Sequence, residues 1–493
     1  MQNTKLISLL QTFDKEELKR FTDYVQSPYF NKREAPVLLL KVLLPLYPTF
    51  ENLKWEKLFI KAFADKSEFS ETYLRNVLSD LCAMAEDFLG QEFTRSSPVF
   101  IGNIVLKLLY KRQFKIAEVY LARFKTSLQK NPDIYPGAYS MWRYYYELKI
   151  AFHDMQEHRL LRCEALQDLT TILKNESLHN LLECYSQIYT RQLAYYQYEY
   201  DTDFLNRFMD IILPEDFKKE PQIAISYYKL LLQTQHTWQA WYNLYDCLKQ
   251  NKANLVDVFI FHSNTVLVNF ISQQEGRDTE MPSGILEKHF DMLEEISAFL
   301  EKNKEPYSGY CFQNIVLTGI ALKGVEWAKQ YIHDNSPKLP DNVREGLTAY
   351  CLARIYFYLG DFTETIAILN AISPFHRLYY FLAKSLMLLA YFEKDDYDAF
   401  LTTLDAFKHT LKNHPELAQA YQSPFTNMNA ILLKLYKLKN KYSQKNMLKI
   451  KELLQNPDLN LSSRKWAVKK LREIEAKHAR LIQNEARLST KLI

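Results

Sequence analysis

The chain predicts an all-α protein: helical hairpins stacked as an α-solenoid, preceded by an N-terminal helical section and closed by a basic C-terminal helix. Three observations predict it. Residues 349–372 (AYCLARIYFYLGDFTETIAILNAI) and 384–407 (KSLMLLAYFEKDDYDAFLTTLDAF) repeat with a step of 35 residues, which places Tyr356 on Tyr391, Phe362 on Tyr397 and Leu369 on Leu404. A fixed step of that size marks stacked helix–turn–helix units that cannot bury their apolar faces alone. Only 10 of 493 residues are glycine, against an average near ~7%, so loops built on positive φ are scarce and long helices with short connections are favoured. The 34 Tyr and 30 Phe then belong mainly to helix–helix seams.

Residues 1–95 form the N-terminal section. Asp14-Lys15-Glu16-Glu17 has the pattern of a capping box, opening a helix that runs to about Gln26 and stops at Ser27-Pro28. Arg33–Leu44 is a second periodic stretch, closed by Pro45 and Pro48. Ser70 caps a long helix whose Leu74, Val77, Leu81, Met84, Ala85 and Phe88 make a core-facing stripe. Residues 96–273 read as divergent helical hairpins. Phe114, Ala117, Leu121 and Phe124 echo the repeat, and Trp142, Tyr145, Tyr146 and Leu148 lie on a further helix. The absence of proline between Pro136 and Pro214 leaves room for three or four long helices. The polar segment Gln274–Gly284 is the best loop or domain boundary. Residues 285–430 carry the clearest repeats. In the basic segment 431–493 the last helix starts after Ser462-Ser463, and Ala467, Leu471, Ile474, Leu481 and Leu488 follow a heptad-like step interrupted by His478 and Glu485.

Residues 349–374 resemble a tetratricopeptide repeat. Leu352-Ala353 takes its early small-residue site, Tyr356 the aromatic one, Leu359-Gly360-Asp361-Phe362 the inter-helix turn, and Pro374 follows the second helix. Residues 317–332 fit as a preceding unit, with Ala328 in the small position of the second helix. That position is Thr365 and then Phe400 in the later units, a departure from close packing on alanine. The likeness covers about residues 310–410. It implies a superhelix of helical pairs and no particular activity, since such repeats host many tasks. Together with the Ser27-Pro28-Tyr29-Phe30-Asn31-Lys32 turn, the chain is also similar to uncharacterised bacterial repeat proteins.

Enzyme signatures are missing. The sequence contains no glycine-rich phosphate loop, no His-Glu-x-x-His, no Gly-x-Ser-x-Gly and no Cys-x-x-Cys. The closest histidine pairs, His153/His158 and His409/His414, are five residues apart, which swings them off a common helix face, so no metal site is expected. Asp395/Asp396 fall in a repeat turn and read as solvated turn residues. The clusters 141–149 and 195–201, with Trp238 and Trp241, suit base stacking in residue type; packing is the reading preferred. The six cysteines are too dispersed for a disulfide framework. The start lacks a cationic leader with an apolar core, and the best candidate for a membrane span, Val258–Ile271, is broken by His262, Ser263, Asn264 and Asn269. A cytoplasmic protein without membrane insertion is expected.

Two surfaces remain. Transferring the repeat pattern position by position places Tyr310, Gln313, Tyr350, Arg354, Leu382 and Ser385 on a concave face, where an arginine beside Tyr and Gln would grip a protein or peptide. Separately, residues 431–493 hold 16 Lys and Arg against 5 Asp and Glu, a net +11, while the preceding 430 residues carry 46 basic and 53 acidic groups, a net −7. Lys465, Lys469, Arg472 and Arg480 align on one helix face as a basic patch for nucleic acid or anionic lipid. A solvated face with a Glu473/Lys477 pair, and docking of the tail on the chain's own acidic body, are the alternatives. The expected function is a non-catalytic scaffold or adaptor, without cofactor, that binds a protein or peptide. Nucleic-acid binding through the C-terminal helix is the alternative.

Overall fold

The computed structural model describes residues 4–50, 54–64, 68–130, 138–194, 200–212, 220–275, 281–372, 377–413, 419–456, 459 and 461–490. Among the described residues every regular element is helical, and none is a strand. The chain divides into two compact units, residues 1–173 and 174–493. The division falls inside the helix Arg159–Ala194 (α9) rather than near residue 96 or at Gln274–Gly284.

In the first unit, α1 (Lys5–Thr12), α2 (Lys15–Gln26), α3 (Glu34–Leu43) and α4 (Trp55–Ala62) all pack on the long α5 (Glu71–Ser96). The capping box at the start of α2 forms as expected: Glu17 N donates to Asp14 Oδ1 at 2.7 Å, and Asp14 N to Glu17 Oε2 at 2.8 Å. Ser70 caps α5 through the Tyr73 amide. The core is an aromatic cluster in which Phe13, Phe21 and Phe88 meet at centroid distances of 5.4–5.7 Å. Burying each such ring stabilises by about 2 kcal/mol. Next come α6 (Val99–Tyr110), α7 (Phe114–Lys130) and α8 (Ala138–Met155), which share a core of Val105, Ala117, Leu121, Phe124, Tyr145 and Leu148. The aromatic cluster 141–149 is thus used for packing, and α7 buries the echo of the repeat. Beyond α8, the proline-free stretch holds α9, of 36 residues, and the nine-residue α10 (Asp203–Ile211).

The second unit continues as α11 (Pro221–Gln235), α12 (Trp238–Asn251), α13 (Asp257–Glu275), α14 (Ile285–Lys302), α15 (Gly309–Lys323), α16 (Val325–Asn335), α17 (Asp341–Leu359), α18 (Phe362–Asn370), α19 (Arg377–Lys394), α20 (Tyr397–Asn413), α21 (Gln419–Asn440), α22 (Gln444–Gln455) and α23 (Arg464–Thr490). From α11 onward each helix packs on the next. The alternate pairs α11/α13, α15/α17, α17/α19 and α21/α23 also touch. The turns repeat with the sequence. Gly360 (φ 82°) and Asp395 (φ 60°), 35 residues apart, both take the left-handed conformation that ends a helix on a short turn. Asp361 and Asp396 then cap α18 and α20 by accepting from Glu364 N and Ala399 N. Their own amides donate back to Tyr356 O and Tyr391 O at 3.0 and 3.1 Å. Asp396 is therefore a helix cap. Gly319 permits the close approach of α16, because a Cβ there would sit 2.0 Å from the Trp327 ring.

Candidate functional site

The residues expected on a concave face separate into two groups. Tyr310 on α15 is exposed, and its hydroxyl hydrogen-bonds to Ser272 Oγ at 3.1 Å. Gln313, Arg354 and Leu382 are half-buried. Tyr350 and Ser385 are not surface residues: they are 4% and 7% exposed. Tyr350 packs in a core with Ala353, Ile366 and Phe381, because α17 sits between α15 and α19 and turns this position toward a neighbour. The Tyr350 hydroxyl is hydrogen-bonded to Arg354, and burial raises its pKa against that nearby cation. Of the residues expected on this face, Tyr310, Gln313 and part of Arg354 stay accessible on α15 and α17.

Lys465, Lys469, Arg472 and Arg480 are all exposed on α23. The opposite side of this helix docks on its own chain. Ala467 and Leu471 are buried, Trp466 Nε1 donates to Glu393 Oε1 at 2.9 Å, and Lys470 Nζ lies 2.8 Å from Glu393 Oε2. Trp466 also meets Phe392 edge-on at 5.1 Å, and His478 stacks on Tyr442 at 3.7 Å. Glu473 pairs with Lys470 at 2.7 Å and Lys469 at 4.0 Å, in place of the expected Lys477. The buried Arg464 donates to the carbonyl oxygens of Leu454 and Leu459 and so anchors the start of α23 near the end of α22.

A third constellation is invisible to motif reasoning. On α11, Ser226, Lys229 and Gln233 follow one helix face and meet the same kind of stripe on α9. Lys229 Nζ lies 2.5 Å from Glu183 Oε1 and 4.8 Å from the centre of the Phe259 ring on α13. Ser226 Oγ donates to Glu183 and approaches His179 Nδ1 at 3.4 Å. Gln233 Nε2 donates to Thr190 Oγ1 and Ser186 O. Partners advance together along both helices, so α9 and α11 run parallel here.

Burial opposes both charges in this seam. It pulls Lys229 below the ordinary amine range, against the attraction of Glu183. It also pushes the Glu183 carboxyl up, but the Lys229 ammonium and the Lys229 and Ser226 hydrogen bonds outweigh this and hold it below the usual carboxylate value. Burial likewise lowers His179 and His262. A lysine beside a serine is a pairing that nucleophilic chemistry uses. Here, however, Ser226 is fully buried, Lys229 is 2% exposed, and the serine donates to the carboxylate. The seam acts as an internal clamp between helices, with only the Glu183 side chain partly exposed at 17%.

Comparison with protein-family models, with curated proteins and with solved structures finds no match.

Among the described residues, no three His, Cys, Asp or Glu side chains converge as metal ligands. The His153 and His158 rings lie 5.8 Å apart, with His153 buried. His414 and most of the cluster 195–201 fall outside the described residues. Trp241 is buried and donates to Leu267 O at 3.2 Å, and Trp238 packs on Phe270. Both tryptophans are therefore packing residues. Among the described residues, no helix is long and apolar enough to cross a membrane.

Proposed function

We propose that the chain is a non-catalytic binding protein whose helical pairs stack as a tetratricopeptide-like superhelix. One observation carries this reading. The alternate helices α15, α17 and α19 touch one another in sequence, and α15 and α17 leave Tyr310, Gln313 and part of Arg354 uncovered. A layer of that kind offers an aromatic ring, an amide and a guanidinium to an extended or helical segment of a protein partner, and such anchors carry most of an interface's energy. The six unpaired cysteines suit a reducing compartment, so the cytoplasm is the proposed location.

The test is affinity capture with cross-linking from the native cell, comparing the wild type with Tyr310→Ala/Arg354→Ala. The expected result is loss of cross-links at α15 and α17, with destabilisation no larger than about 1–3 kcal/mol, the cost of leaving the buried Tyr350 hydroxyl without Arg354. An unchanged set of partners at unchanged yield would refute this face as the binding surface.

The exposed Lys465, Lys469, Arg472 and Arg480 favour a second reading, nucleic-acid binding through α23. Truncating this helix would remove the buried Ala467 and Leu471, so charge reversal is the sounder test. Lys465→Glu/Lys469→Glu should abolish salt-sensitive binding of an oligonucleotide if this reading holds.

A further inference from the structure

Away from that face, α20 and α21 enclose a groove of about 540 Å³ whose lining has a distinct chemical order. Leu411 and Leu433 form its apolar floor. Four lysines rim it: Lys408 and Lys412 from α20, Lys434 and Lys437 from α21, all exposed. Lys408 lies 3.7 Å from Asp405; for the other three, no ion pair forms among the described residues. The α21 contribution (Thr426, Ala430, Leu433, Lys434 and Lys437) is one continuous stripe, about 16 Å long at the helical rise. Its exposed positions at 426 and 430 carry small side chains, which let a second backbone come close.

Asn429 also lines the groove and is only 2% exposed. Three of the four rim cations have no anion among the described residues.

We infer that this groove docks an acidic amphipathic helix of a partner protein. Such a helix would set its apolar stripe on Leu411 and Leu433 and its flanking carboxylates on the four lysines. Charge complementarity selects this occupant, since a stripe of lysines around an apolar floor is the counter-image of a Leu/Glu helix face. Nucleic acid fits less well, because among the described residues no aromatic side chain lines the groove to stack a base. The site is separate from the face proposed above on α15 and α17, so either can fail without the other.

The test uses the full chain and a fluorescein-labelled synthetic helix of about 14 residues, long enough to cover the stripe, with leucines on one face and glutamates on the other. Anisotropy is read at about 50 and about 300 mM salt. Saturable binding is expected, weakened at the higher salt and reduced at least about tenfold by Lys434→Glu/Lys437→Glu. Leu433→Asp should weaken binding of the same peptide with less change in its salt dependence. A control peptide with lysine replacing glutamate should not bind. Circular dichroism checks that the variants, changed at exposed or half-buried positions, remain folded. Three outcomes overturn the inference: no binding, equal binding of the charge-reversed peptide, or binding indifferent to both variants. Tight capture of an oligo-dT strand that is lost in Lys434→Glu/Lys437→Glu would overturn it in favour of a nucleic-acid groove.

Discussion

His289 on α14 is 1% exposed, and burial alone holds its pKa down at about 4, from an ordinary 6.5. Its Nδ1 lies 3.3 Å from Thr318 Oγ1, and its Nε2 has no hydrogen-bond partner among the described residues, so a proton added there would be buried without an acceptor. The folded state therefore binds this proton later than the unfolded chain does. Stability contributed by the neutral ring is full above about pH 6.5 and is lost as pH falls toward 4. With 1.36 kcal/mol for each tenfold change in proton affinity, the loss between about pH 7.5 and about pH 4.5 is about 2.5 kcal/mol. His179 and His262 shift in the same direction, so the measurement must be a difference. His289→Gln removes the titration and leaves the other histidines in place. Urea unfolding of both proteins at the two pH values should show the wild type losing about 2.5 kcal/mol more than the variant. Parallel pH profiles would refute the claim that this ring is held neutral.

Breaking the α9/α11 clamp should be severe. Lys229→Met leaves Glu183 buried without its cation and should destabilise by about 3–5 kcal/mol, while Lys229→Met/Glu183→Leu should recover much of that loss; equal losses in the single and double variants would contradict the pairing. Gly319→Ala forces a Cβ into the Trp327 ring and should lower stability by about 1–3 kcal/mol in thermal unfolding; an unchanged melting temperature would show that α16 relaxes freely. Tyr350→Ala should destabilise by about 3 kcal/mol because it opens a core cavity, whereas the exposed Tyr310→Ala should change stability by less than about 0.5 kcal/mol. Similar melting temperatures for these two variants would show that the burial difference between them is unimportant.

Local rules explain what could be read in advance. Asp14 and Glu17, Ser70, and the Gly360-Asp361 turn each satisfy backbone groups only a few residues away, so their signals survive without knowledge of tertiary packing. The repeat of apolar positions predicted the helices for the same reason. Tyr350 and Ser385 were misplaced because a pattern transferred along one helix says nothing about how deeply its neighbours cover it. Lys229 was overlooked because a lysine in a helix ordinarily reads as solvated. The available signal lay in its surroundings. Ile223, Ala224, Ile225, Leu230 and Leu232 make α11 apolar nearly all round, and a helix of that kind is buried on every side. The polar residues Ser226, Lys229 and Gln233 then had to find partners inside. Charge totals likewise showed a basic tail without distinguishing the face of α23 that docks from the face that does not.

Helices that contact only near neighbours in sequence can open locally, one hairpin at a time. Glu393 changes that for α23. Its carboxylate grips Trp466, 73 residues further along the chain, and Lys470 beside it, so α19 and α23 are fastened across three intervening helices. Fraying there must release both ends of the staple together. Helices α19–α23 accordingly open as one cooperative block, and their amides should exchange with solvent at a common rate instead of a graded one.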